Sequence, residues 1–436
     1  MISVGFDVSG LDPTFKSHAQ RGIGRYVHEL KRFLDGLSEP DLAVRWFDHA
    51  SLVRGGLGAR AIDCMPCGRT TLRQQLLYPL KLNSNEMKGF SFVHFPAHMD
   101  APAWSSKPFV LTVLDLIPLI LEDLYRANRP TWRFKFARWL ELRAIRQALV
   151  LVAISETTAR DIVRVLGVPR ERIVVTPLGV DQRFFGVEDL RTERGEGERS
   201  SVRQRLGIPE ERPIILYVGG HDERKNIATL VAIARKAVSH ALGKGLAAPI
   251  LVLAGRIHSD AEKQRLADAL RTHDMQRDTV TLGYVSDDDL LSLYADSSVF
   301  LFPSLYEGFG LPVLEALAAG LPVVSSNTSS MPEVLGDCGL TFDPCDPADG
   351  AQAVVRMLED QRLRQHLREQ GRVRARGFTW EQTGRKTVEA YRLAGDLLAL
   401  RRGLRRTQVD LGSRTERSSV ALSGEGDGDL AEEKSA

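Results

Sequence analysis

Short, β-branched apolar runs alternate with helical patterns along almost the whole chain, and no other feature constrains its fold as strongly. Such runs mark strands, the 3.6-residue patterns between them mark crossover helices, and repeated strand–helix units build parallel sheets. In the first half the runs fall at 2–8 (ISVGFDV), 42–48, 91–95, 109–116, 149–155 and 173–177. In the second half they fall at 213–219 (PIILYVG), 249–255, 280–285, 299–303, 322–326 and 339–344. Between the two series lies a charged interval, 186–207, with little to bury. The pattern predicts an α/β protein of two doubly wound, Rossmann-like domains, 1–185 and 208–378, facing across a cleft. A long amphipathic helix over 379–400 would close the folded part, and the apolar-poor stretch 401–436 is expected to be disordered. Ligands of such folds sit at the carboxyl ends of the strands, so the strand–helix turns carry the functional signal.

The most unusual turn is SLYEGFGLPVLEALAAG, 304–320, where Glu307 and Glu315 lie in an otherwise apolar stretch. A buried carboxylate without a partner is costly, so each must be paired. Gly308 and Gly310 let backbone approach a ligand, Pro312 suits a helix start, and the first-turn amides of that helix form an anion site. Glu315 could simply complement the helix dipole; that reading does not reach Glu307, which precedes the helix. A polar ligand bearing several hydroxyls would satisfy both. The first strand–helix turn of the second domain, YVGGHDERKNI (217–227), repeats the device: Gly219 and Gly220 free the backbone, and Arg224 and Lys225 supply cations. In the first domain, QRGIGRYVHEL (20–30) places Gly22 and Gly24 at the corresponding turn. Val27 stands where a dinucleotide fingerprint needs its third glycine, and no G-x-x-x-x-G-K-[ST] is present. An NAD-linked or P-loop enzyme is therefore disfavoured.

A formal net charge of +2 gives no global field for nucleic acid. Four cysteines, Cys64 and Cys67 in CMPC plus Cys338 and Cys345, suit free thiols in a reduced compartment, with a redox or zinc role the lesser reading. SDDDL at 286–290 reads as a helix cap before it reads as an acidic metal cluster. The start MISVGFDVSG has no leader pattern, and PFVLTVLDLIPLILEDL is interrupted by Asp115 and prolines, so a cytoplasmic protein is expected. The segment 125–147 interleaves seven Arg or Lys with Trp and Phe. It reads either as a solvated helix face or as a peripheral contact with the inner face of a membrane.

Together these stretches resemble glycosyltransferase family 4, retaining enzymes of GT-B fold that use nucleotide-sugar donors. The resemblance is carried by E-x7-E (Glu307–Glu315) with AAGLPVVSSNTSSMPEV after it, and by VGGHDERKN, VAISETTARDIV, VTPLGVD, VTLGYVSDDDLLSLYADSSVFLFPS and RGIGRYV. It extends from about residue 2 to residue 395. It implies that Glu315 binds the donor ribose and that Glu307, with the amides of Phe309–Leu311, holds the transferred sugar. Arg224 and Lys225 would neutralise the diphosphate; Gly219, Gly220, Gly308, Gly310, Tyr284 and Val285 would line the donor site. No cofactor and no metal is implied. Relatives frequently have His-Asp where this chain has Leu114-Asp115, which leaves the acceptor side to Gly22, Gly24, Asp115 and His94, with His98 as a substitute. Leu178 stands where Asn is common. The implied reaction moves a hexose, first of all mannose from GDP-mannose, to a glycan or lipid-linked acceptor in bacterial polysaccharide synthesis. A nucleotide-sugar epimerase or hydrolase on the same frame, or a non-catalytic scaffold of an assembly complex, are the alternatives.

Overall fold

The computed structural model describes residues 1–12, 22–48, 75, 78–83, 85–125, 132–187, 190 and 202–422. Cys64 and Cys67 lie outside the described residues, as does most of 186–207. The first sheet holds β1 (Ile2–Asp7), β2 (Leu42–Phe47), β3 (Phe92–Phe95), β4 (Phe109–Val113), β5 (Val150–Ala153) and β6 (Ile173–Val175). All pairs are parallel, in the order β2-β1-β3-β4-β5-β6. The second holds β7 (Ile214–Val218), β8 (Ile250–Ala254), β9 (Thr279–Gly283), β10 (Val299–Phe302), β11 (Val323–Ser326) and β12 (Leu340–Phe342). It too is parallel, in the order β12-β11-β10-β7-β8-β9. Every expected strand is present. Strands β3, β4, β5, β8, β10 and β11 are buried at every position, as continuous apolar runs covered by helices on both faces require.

The helices that position the site are α1 (Gly22–Asp35), α2 (Trp132–Gln147), α3 (Glu156–Leu166), α4 (Ile227–Gly243), α5 (Asp287–Asp296), α6 (Leu311–Ala318) and α7 (Trp380–Leu422). Local chemistry sets their ends. Ser155 Oγ accepts from Thr158 N at the start of α3, and left-handed Gly167 closes it. Ser286 Oγ accepts from Asp289 N at 3.1 Å; Asp289 is salt-bridged to Arg205. The SDDDL cluster is thus a cap with an ion-paired acid.

The chain crosses back after the second domain, and α7 packs on α1, β1, β4, β5 and β6 of the first. Its docking is pinned by a buried polar chain. Tyr391 OH meets His94 Nδ1 at 2.8 Å, His94 Nε2 meets Thr112 Oγ1 at 2.9 Å, and Thr112 meets Tyr26 OH at 3.0 Å. His94 was expected on the acceptor side of the cleft; the structure places it fully inside the first domain's core. Burial drives its pKa down to about 3, so it is a neutral imidazole with both nitrogens engaged. The helix also runs past its expected end at 400 to Leu422. Residues 401–422 contain two glycines and no proline to stop it.

Candidate functional site

In the second sheet the strand order reverses between β7 and β10, and the loops leaving these adjacent strands meet. The turn after β7 brings Arg224 and Lys225; the loop after β10 brings Glu307. Lys225 Nζ lies 2.6 Å from Glu307 Oε1, and Arg224 Nη1 lies 2.6 Å from Glu307 Oε2. One carboxylate therefore bridges two cations, all three largely withdrawn from water. Burial alone would push the Glu307 carboxyl up, but Lys225 and Arg224 outweigh it and hold the group down at about 2. Burial lowers the Lys225 ammonium, with Arg224 pushing the same way against Glu307. Both partners shift downward, Lys225 because burial prevails over its pairing and Glu307 because two cations face it. Arg224 is opposed by burial yet held more firmly charged than usual by Glu307 and Asp222. The loop is fixed by Leu305 N donating to Arg224 O at 2.7 Å, by Glu307 N donating to Ser329 Oγ at 3.0 Å and by Ser330 Oγ donating to Glu307 O at 3.0 Å.

Gly310 ends this loop with φ of 101°, and a β-carbon there would meet Met331 Cε at 2.4 Å; only glycine fits both demands. Pro312 follows in the first turn of α6. Glu315, on the buried face of α6, pairs with Arg25 Nη1 of α1 at 2.7 Å and accepts from Tyr294 OH at 3.4 Å. Its carboxyl is pushed up to about 7: burial dominates, and the half-exposed Arg25 offsets only part of it. The two acids of the motif thus occupy opposite electrostatic settings.

The first domain closes over this loop. Gly308 lies against the Leu114–Asp115 turn, so that a β-carbon on it would stand 2.1 Å from Leu114 O and 3.2 Å from Asp115 Cβ. Tyr306 OH bonds to the Asp161 carboxylate, and Thr158 Oγ1 donates to Gly308 O at 3.3 Å. Glu333 accepts from Glu156 N at 3.0 Å and Thr157 N at 3.4 Å, capping α3 from the opposite domain. Asp115 also acts electrostatically on Arg224. His98 is buried, salt-bridged through Nε2 to Glu141 Oε1 at 2.8 Å, and accepts from Leu114 N at 3.4 Å. It supports the Leu114–Asp115 turn from behind.

The structure therefore gathers Arg224, Lys225, Glu307, Gly308 and Asp115 at one place, with Gly310, Leu311 and Glu315 continuing the same loop and helix. A β-carbon on Gly219 would stand 3.7 Å from Lys225 Nζ, and Tyr217 OH donates to Gly220 O at 2.6 Å, so both glycines belong here. A β-carbon on Gly22 would meet Leu311 Cδ1 at 3.9 Å; Gly24 is buried within α1. The Phe309 ring is spent in an edge-to-face contact with Phe378, leaving only its backbone to the site. Tyr284 stands exposed at the end of β9 with Arg256 4.5 Å over its ring, and Val285 beside it is half-buried. Tyr284 and Val285 follow the edge strand β9, two strands from β7, and neither they nor His94 touch the Arg224–Glu307–Lys225 cluster among the described contacts. Sequence reasoning missed Arg25, Asp161, Tyr306 and Glu333. Arg25 directly follows the glycine pair of the first domain, which was a signal; the others become visible only when the domains face each other.

Two such facing, doubly wound domains make the GT-B fold. Residues 20–184 match the family model described as Glycosyltransferase Family 4, and residues 198–374 match that described as Glycosyl transferases group 1. Between them these models take in most of the chain, which is similar in both halves to the family 4 glycosyltransferases. It is 32% identical over 246 residues to O-antigen chain mannosyltransferase B of Escherichia coli, a match covering 56% of this chain and 61% of that protein. The match thus spans about three fifths of that curated relative's length. Among solved structures, sucrose-phosphate synthase of Thermosynechococcus elongatus superposes with a TM-score of 0.65 at 21% identity, covering 90% of this chain and 98% of that one. HepE of Anabaena, in complex with UDP and glucose, gives 0.62 at 15% identity over 89% of this chain and 99% of that one.

Proposed function

We propose that the chain is a retaining hexosyltransferase that moves mannose from GDP-mannose to a glycan or lipid-linked acceptor in bacterial polysaccharide synthesis. The observation that carries this reading is the bridged Arg224–Glu307–Lys225 cluster at the β7/β10 switch point, one helix start away from Glu315. A donor laid along this line puts its ribose hydroxyls at Glu315, its diphosphate at the cations and the amides opening α6, and its sugar at Glu307. Mannose is favoured by the mannosyltransferase relative. In the reaction the bond between the anomeric carbon and the β-phosphate oxygen breaks as the acceptor oxygen bonds to that carbon from the same face. The acceptor proton passes to an oxygen of the departing diphosphate. Negative charge grows on that diphosphate, and Arg224, Lys225 and the α6 N-terminus stabilise it where it grows. The reading needs no divalent ion for this task.

The test is a transfer assay with a thermal-shift screen over nucleoside diphosphates and their sugars to identify the donor. Lys225→Ala is expected to lower turnover by roughly 10²–10³-fold, the loss typical of one preorganised charge-stabilising donor, and excess EDTA should leave wild-type turnover unchanged. Near-normal turnover of Lys225→Ala would refute the role of the cluster. A converted nucleotide sugar in the absence of acceptor would point to an epimerase or hydrolase instead.

A further inference from the structure

Helix α2 is not explained by donor chemistry. Its sequence, WRFKFARWLELRAIRQ, carries five Arg or Lys and one acid, Glu141, so the rest of a chain of net charge +2 is slightly acidic. The acid is already committed to Arg138 at 2.8 Å and to His98. On the outer face Trp132 is 73% exposed, Phe136 50% and Trp139 48%, and Trp104 from the preceding loop is 43% exposed. Three of these rings form a connected row: Phe136 and Trp139 stack with centroids 5.9 Å apart, Trp139 and Trp104 are 5.8 Å apart, and Arg143 lies over Trp139 and Trp104. The cationic surface continues beyond the helix. Arg172 donates to Arg146 O at 3.2 Å, and it feels the charge of Arg401 on α7.

We propose that this aromatic and cationic face docks the protein on an anionic lipid surface. Indole and phenyl rings partition into the headgroup region, where one side of each ring is wet and the other apolar. Cations flanking them are drawn to anionic headgroups by about 1 kcal/mol each. A neutral glycan could stack on the rings but gives the surrounding cations nothing to pair with, so the charge complement selects the lipid. The face is also connected to the cleft: His98 links Glu141 of α2 to Leu114 N, and Leu114 packs on Gly308. An acceptor held at a membrane would approach from this side, but the docking itself does not depend on the transfer reaction.

The experiment is vesicle flotation of the full chain, with vesicles of pure phosphatidylcholine or of phosphatidylcholine with about one third phosphatidylglycerol. Three of the chain's five tryptophans lie in this face, so quenching by brominated lipid reports its insertion. The wild type should float with the anionic vesicles only, lose binding as salt is raised, and be quenched. Trp132→Ser with Phe136→Ser should lower partitioning about tenfold or more. Lys135→Gln with Arg401→Gln should lower it by about fivefold per charge. Both variants should keep the wild-type circular dichroism and melting temperature, since all four side chains are exposed. Equal flotation on neutral vesicles, undiminished flotation of both variants, or binding of soluble glycan without lipid binding would each overturn the proposal. None of these outcomes bears on turnover with a soluble acceptor.

Discussion

Replacing Glu307 by Gln keeps the shape of the buried cluster and removes the negative charge that bridges Lys225 and Arg224. The size of the effect can be worked two ways. Breaking one side of a buried, hydrogen-bonded ion pair typically costs about 3–5 kcal/mol, because the partner charge stays behind. Independently, the carboxyl is displaced from its ordinary 4.5 to about 2, which at about 1.4 kcal/mol per pH unit amounts to about 3 kcal/mol at neutral pH. The sign follows from the direction: a depressed acid stabilises the fold fully above its unfolded value, and that stabilisation is lost as pH falls from about 4.5 towards 2. Glu307→Gln should therefore melt well below the wild type at pH 7, by about 2–4 °C per kcal/mol for a domain of this size. The gap should narrow as pH falls below 4.5. A nucleoside diphosphate should restore part of the loss, because its charge replaces the missing carboxylate; saturation at a hundredfold excess over Kd contributes about 2.7 kcal/mol. Scanning calorimetry at pH 7, 5 and 4 measures all three. Equal melting of the two proteins at pH 7, or a gap that does not close with acid, would refute the electrostatic account of the cluster.

Two further predictions concern the remaining parts of the loop. Glu315, pushed up to about 7, accepts a ribose hydroxyl at each of its oxygens only when ionised. Nucleoside diphosphate affinity measured by calorimetry should therefore rise from pH 6 to 8, and Glu315→Gln should abolish that rise. Gly308→Ala would drive a β-carbon into Leu114 O. It should reduce turnover strongly, with donor affinity and melting temperature nearly unchanged, because the clash obstructs domain approach and leaves the donor half intact; small-angle scattering should show a more open particle.

The alternation of apolar runs was enough to read all twelve strands and the two-domain plan, because strands covered by helices on both faces are predominantly apolar. The donor-side turns were legible for a related reason. Glycine, proline and paired charges at a strand end have few other uses, and the switch-point rule places such ends together. What pairs with each acid was not legible. Arg25 reaches Glu315 across the cleft, 290 residues away, and Glu333 caps a helix of the opposite domain; no local pattern encodes contacts of that separation. His94 misled for the converse reason. Its sequence context, a strand next to the cleft, is the same whether the imidazole faces a ligand or a returning helix, and only Tyr391 decides between them.

The opposed settings of Glu307 and Glu315 assign different work to one sequence motif. Two cations hold the Glu307 carboxyl well below the usual carboxylate range, which makes it a poor proton acceptor for the proposed transfer. It can orient a sugar hydroxyl and keep two repelling cations side by side, close enough for both to address one diphosphate. An acid at about 7 has no such fixed state. Glu315 sits between a buried helix face and an arginine of the other domain, and its ionisation is favoured by any partner that donates hydrogen bonds to it. A ribose offers two such donors, whereas Arg25 offers a charge that water partly screens. On the proposed donor placement, nucleotide binding and domain contact act on the same carboxylate. A nucleotide that takes over the Arg25 contact must loosen α1 from α6, while one that leaves it in place must bind as the third member of the pair. Arg25→Ala separates these cases: tighter nucleotide binding by calorimetry indicates competition, and weaker binding indicates a shared site.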